Sequence, residues 1–150
     1  MVRPVSYRDY GFRPIKHANG LTGLAVRLIN GTGQPSVLGS VVAISPAADN
    51  CFILQTNEFD AIGVVAESGR ATGQVTWVII SGVAKVLFKN GVAPVRGNVA
   101  LSADTDGRAT YIAVPSANPI QAEHFKEIGH VMESKQAGTN IIANVLIHFN

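Results

Sequence analysis

Charge is scarce in this sequence. Asp, Glu, Lys and Arg make up 15% of the 150 residues, against roughly 25% in ordinary soluble domains. Aromatic residues are also few, at 7%. A single cysteine, Cys51, excludes an internal disulfide. Its plain reading is a small buried hydrophobe, because nothing near it in sequence supplies the base or the positive charge that a nucleophilic thiol needs. No apolar run approaches the roughly 20 residues of a membrane-spanning helix. The first residues, MVRPVSYRDYGFRP, lack the apolar centre of a signal peptide. Synthesis in the cytoplasm is the expectation.

Recognisable reaction machinery is missing as well. The four histidines, His17, His124, His130 and His148, show no metal-ligand spacing. No Gly-x-Ser-x-Gly elbow occurs, and no phosphate-cradling glycine loop carries a lysine. Asp104-Thr105-Asp106-Gly107 resembles the start of a calcium loop but lacks its third acidic ligand and closing glutamate. A hairpin turn accounts for it. The expectation is a non-enzyme with no catalytic residue, no cofactor and no metal.

What the chain does hold is apolar residues and punctuation. Hydrophobic residues reach 47%, with 15 glycines and 7 prolines spread along the chain. Short apolar segments recur at intervals of roughly ten residues: 24–29, 37–45, 61–67, 75–80 and 83–88. That spacing is the mark of an all-β sandwich or barrel. Asn19-Gly20, Lys89-Asn90-Gly91 and Thr105-Asp106-Gly107-Arg108 are turn signals. The run Val75–Ile80 begins by alternating and then turns continuously apolar, as a strand covered on both faces does. Trp77 within it reads as a core or inter-subunit anchor. Asn118 to Phe125 is the one stretch with a helical reading, Asn118 capping and Pro119 in first position.

The chain also matches itself. Phe59-Asp-Ala-Ile-Gly-Val-Val-Ala-Glu-Ser68 aligns with Phe125-Lys-Glu-Ile-Gly-His-Val-Met-Glu-Ser134, with six of ten positions identical at an offset of 66. Gly39-Ser-Val-Val-Ala-Ile-Ser45 resembles Gly97-Asn-Val-Ala-Leu-Ser102 upstream, and an apolar strand follows each copy. Two copies, about 39–82 and 97–149, predict two similar β units sharing one core. Gly63 and Gly129 fall mid-strand, where glycine marks a bulge or a close backbone approach. Glu67 and Glu133 occupy equivalent positions, which favours a structural role over a catalytic pair.

The basic character is local. Residues 1–38 hold Arg3, Arg8, Arg13, Lys16 and Arg27 against Asp9 alone, a net charge of +4, while the remainder is −2. Residues 1–20 read as an extended arm, with Pro4 and Pro14 biasing their predecessors away from helix. Val2, Arg3, Tyr7, Arg8, Tyr10, Phe12 and Arg13 are its candidate contact residues. The arm is short and has no run of consecutive cations, so a protein partner is expected and nucleic acid is not.

Gly39-x-Val-Val, Ala61-Ile-Gly-Val-Val-Ala-Glu, Val75-x-Trp-Val-Ile-Ile-Ser-Gly-Val-Ala, Arg96-Gly-Asn-Val-Ala-Leu-Ser and Ile128-Gly-His-Val-Met-Glu together resemble the decoration, or cement, proteins of tailed-phage capsids. The likeness covers residues 21–150 and consists of glycines and apolar strands without a diagnostic polar motif. It implies a compact β-barrel or β-tulip-like domain over 21–150 with an N-terminal arm over 1–20. It implies a homotrimer on the outer capsid surface of the virion, bound to the major capsid protein and stabilising the shell. Neither nucleic acid nor membrane is an expected partner. A head-fibre base, a tail component and a carbohydrate-binding β module are the alternatives.

Overall fold

The computed structural model describes residues 11–56, 60–103, 106–113 and 121–149, with the backbone alone for 121–123. The chain is all-β, as expected. Among the described residues, ten strands run in the order β1 (Phe12–Lys16), β2 (Thr22–Asn30), β3 (Val41–Ile44), β4 (Cys51–Leu54), β5 (Gly63–Val65), β6 (Val75–Leu87), β7 (Val99–Ser102), β8 (Ala109–Ile112), β9 (Glu127–Val131) and β10 (Ile142–Ile147). One short helix, α1 (Gln121–Lys126), leads directly into β9. It overlaps the stretch read as helical, Asn118 to Phe125, and runs one residue beyond it; the proposed cap, Asn118-Pro119, is outside the described residues.

All ten strands belong to one sheet, ordered β1-β2-β4-β3-β5-β6-β10-β9-β7-β8, with β2 also paired to β6. That extra pairing completes a cycle. β2 runs parallel to β4, β4 antiparallel to β3, β3 to β5, β5 to β6, and β6 back to β2. The second half of β6 starts the same circuit again. It is antiparallel to β10, then β10 to β9, β9 to β7 and β7 to β8. A single parallel bridge, Phe88 to Ala109, returns from β8 to the end of β6. The repeat is therefore two rings of like topology with β6 common to both. Among the described residues, that bridge is what closes the second ring.

The sharing of β6 corrects one expectation. Segments 75–80 and 83–88 read as two strands divided at Ser81-Gly82, but β6 is a single strand of 13 residues. Gly82 sits in it at φ +81°, where a Cβ would meet the Thr22 carbonyl oxygen at 2.6 Å. Glycine here lets the strand turn from one ring into the next instead of ending it. β2 pairs with β6 over Val75 to Gly82, and β10 pairs with it over Gly82 to Leu87.

Each ring is filled from equivalent positions. Val42, Phe52, Val65 and Val78 form one buried cluster, with Leu28, Leu54 and Ile62 packed on it. Their counterparts by register are Ala100, Ala109, Val131 and Val145, with Val86, Tyr111 and Ile128. The larger cluster also takes in Val41, Val64 and Ile79 from the other side of the first ring. That is why Val78 and Ile79 are both buried: successive residues of a strand point to opposite faces, and both faces are covered here.

One position pair shows how volume is balanced. In the first ring Asn30 lies opposite Phe52 on the parallel β2–β4 pair. In the second, Phe88 lies opposite Ala109. Among the described residues, each ring thus holds one fully buried phenylalanine, contributed by opposite strands. All four residues are fully buried. Asn30 earns its buried place through hydrogen bonds. Its Nδ2 donates to the carbonyls of Gln34 (2.8 Å) and Arg70 (2.9 Å), and its Oδ1 accepts from the Thr32 backbone N–H at 2.9 Å.

The expected turns are present. Asn19 and Gly20 both have positive φ, 62° and 75°, and connect β1 to β2. Asp106 and Gly107 do the same, at 47° and 64°, just before β8. Tight hairpins need this conformation, and Asn, Asp and Gly reach it at low cost. The supposed calcium loop is thus a turn at Asp106-Gly107; Asp104 and Thr105 lie outside the described residues.

Candidate functional site

The stretch read as an arm ends inside the sheet. Phe12–Lys16 is β1, antiparallel to β2 with Phe12 opposite Val26 and Pro14 opposite Leu24. Among the described residues β1 has no other partner, so it is an edge strand. Pro14 is tolerated there because an edge strand leaves half of its backbone donors outside the ladder. With Arg13 and Lys16 it also blunts the edge against indiscriminate strand pairing.

The two faces of the β1–β2 hairpin differ. On one, Phe12, Pro14 and Leu24 lie side by side, because residues opposite each other in an antiparallel pair share a face. Phe12 and Leu24 stay 39% and 36% exposed. A shallow hollow of about 270 Å³, lined by Pro14, Thr22, Gly23 and Leu24, adjoins them. On the other face, Ile15 packs on the core and Trp77 is half-buried against it. Two guanidinium groups cover the indole: Arg13 at 5.7 Å and Arg27 at 5.9 Å from the ring centre. This is cation–π range. The hairpin therefore presents an apolar strip backed by a fixed pair of cations.

Of the residues singled out from sequence, the structure brings Phe12 and Arg13 onto this hairpin. Val2, Arg3, Tyr7, Arg8 and Tyr10 lie outside the described residues. Sequence reasoning missed Leu24 and Arg27 as surface residues. Leu24 lies in an apolar run whose alternation is interrupted by a bulge at Leu24/Ala25, and no local signal marks which of its leucines stays outside. Trp77 is the anchor of Arg13 and Arg27 and is only partly buried.

The repeated Glu-Ser pair has a backbone role in both copies. Ser68 Oγ accepts from the Leu38 N–H at 2.7 Å, and Ser134 Oγ accepts from the Arg96 N–H at 3.0 Å. Glu67 Oε1 accepts from the Trp77 N–H at 3.4 Å, and Glu133 Oε1 from the Asn144 N–H at 2.9 Å. Each glutamate also meets a cation at 3.3 Å, Arg70 or Lys135. The two carboxylates thus hold corresponding corners of the two rings and do not form an acid–base pair.

A polar hollow of about 290 Å³ lies between the rings, with Thr32, Ser36, Phe52, Leu54, Asp106 and Arg108 on its walls. It sits just below the range typical of small-molecule pockets. Its cation is committed elsewhere. Arg108 donates to the Phe88 carbonyl (3.2 Å), to Asn90 Oδ1 (3.3 Å) and to Asn140 Oδ1 (2.8 Å), tying turns of the second ring together.

The histidines gather in a way that the sequence does not show. Their sequence spacing gives no ligand pattern, yet the fold brings His130 and His148 together with Glu127, and His124 stands beside the same glutamate. Two strands supply them, so linear spacing does not show the cluster.

No protein-family model matches the chain, and no curated protein matches it.

Proposed function

We propose that the chain is a structural protein of a tailed-phage virion. In this reading it binds the major capsid protein on the outer surface of the shell as a homotrimer and stabilises that shell. The observation that carries the reading is the β1–β2 hairpin: an exposed apolar strip on one face and two aligned cations on the other, preceded in the sequence by a basic N-terminal stretch. Protein interfaces are centred on apolar and aromatic anchors of this kind. Phe12 and Leu24 serve as anchors, and Arg13, Arg27 and the preceding arginines select an acidic partner surface and steer the approach to it. The likeness of the glycine-and-apolar strand pattern to capsid decoration proteins supports the same assignment. Many copies on one lattice sum modest contacts into a large effect on the shell.

The trimer is tested by the solution mass. Light scattering on the purified full chain is expected to give three times the 15.8 kDa of one chain. A mass of one chain at every concentration measured removes the trimer from the proposal.

A further inference from the structure

Three lone-pair donors from two strands converge on the outer side of the second ring. Glu127 opens β9, His130 lies near its end, and His148 directly follows β10. His148 Nε2 is 3.1 Å from His130 Nδ1 and 3.2 Å from Glu127 Oε1. All three donor atoms lie within 4.8 Å of one another. His124 Nδ1 stands at the other oxygen of the same carboxylate, Oε2, at 3.4 Å.

We propose that Glu127, His130 and His148 form a binding site for a divalent transition-metal ion of the zinc type. Zinc bonds of about 2.0–2.1 Å in tetrahedral array place neighbouring donor atoms about 3.3 Å apart. The two short separations centred on His148 Nε2 match that value. One imidazole nitrogen carries at most one proton, so Nε2 cannot share complementary hydrogen bonds with two acceptors at once. A cation among the three satisfies all of them together. Two imidazoles and one carboxylate are a recognised zinc donor set, leaving the fourth position to water. His124, bound to the outer oxygen of Glu127, acts as the partner that orients a ligating carboxylate.

The repeat supplies an independent argument. By register, His130 opposite Val99 corresponds to Val64 opposite Val41. His148 and Glu127 correspond to Ser81 and Ala61 on the same alignment. The first ring pairs β3, β5 and β6 in the same order with Val64 and Ser81 in those places and with Ala61 just before β5. The pairings therefore do not require the histidines or the glutamate. Convergence of three ligand-type residues in one copy alone is an addition to the scaffold, and this inference is independent of the proposed capsid role.

The test is a calorimetric titration of zinc into the full chain at neutral pH, with His148→Ser and the double change His130→Val, His148→Ser alongside. These restore the residue types of the first copy, and circular dichroism checks that each variant is folded. The wild-type chain is expected to bind one zinc ion saturably and to melt at a higher temperature when loaded. Either variant should bind at least about tenfold more weakly and lose the zinc-dependent rise in melting temperature. His17→Ala, whose ring nitrogen instead faces the Val83 carbonyl at 2.8 Å, should bind as the wild type does. Absence of saturable binding to the wild-type chain, or equal binding by the folded double variant, overturns the proposal.

Discussion

Replacing Phe52 by alanine is expected to destabilise the domain by about 3–5 kcal/mol. Phe52 is fully buried and is the largest member of the cluster inside the first ring. Its partner across the parallel pair, Asn30, is held by hydrogen bonds to the Gln34 and Arg70 carbonyls and cannot move in to fill the void. At roughly 2–4 °C per kcal/mol for a chain of this size, melting should fall by about 10 °C. Phe88→Ala should cost a similar amount, because Phe88 fills the second ring and faces only Ala109 across its pair. Thermal or urea unfolding of both variants measures this. A loss below about 1 kcal/mol for Phe52→Ala would mean that the first ring does not depend on this phenylalanine.

Gly129→Ala should be comparably severe, for a different reason. Gly129 lies at φ +150° in β9, and an added Cβ would overlap the Leu146 carbonyl oxygen and approach Ile147 Cα at 2.8 Å. Both atoms are backbone of the paired strand β10, so no side chain can rotate out of the way. Backbone strain and overpacking of about 1–3 kcal/mol each combine to a loss of about 4 kcal/mol. Gly69→Ala is the control. Gly69 has φ +88° with nothing within 4 Å of the added carbon, so backbone strain of about 1–2 kcal/mol is the whole cost. Unfolding free energies of the two variants should separate clearly. Equal losses would show that the approach of β10 at Gly129 is not what selects glycine.

The pairing of Gly63 with Gly129 shows how far the sequence could be read. Both were marked as sites of close backbone approach, and both have strand backbone against them, Ile79 or Leu146. The repeat that aligned them also announced two similar β units. It did not announce their junction. Ser81-Gly82 carries the local signature of a break, and only the pairing of β2 and β10 to the two halves of β6 makes it a bend within one strand. The repeat also extends one strand upstream of Gly39. β2 corresponds to the second half of β6, but its residues match in apolar character more than in identity. β4 went unnoticed because Cys51-Phe-Ile-Leu54 is too short to show alternation.

The sites follow the same division. Phe12 and Arg13 were legible because cations and aromatics stand out in a chain poor in both. The histidine cluster was not. His130 and His148 meet because Leu146 pairs with His130 and His148 lies two residues further on the same face. A one-residue irregularity where β9 pairs with β7, at Ala100/Leu101, sets the direction of Glu127. Register and bulges are tertiary facts, and residue spacing along the chain does not encode them visibly.

The most direct test of the proposed capsid role is sedimentation with expanded tailed-phage shells, using the full protein and a Phe12→Asp, Leu24→Asp variant. The account predicts that the wild-type protein pellets with the shells at a saturable, fixed ratio and that the folded variant stays largely in the supernatant. Wild-type protein that remains in the supernatant at every concentration would contradict the assignment.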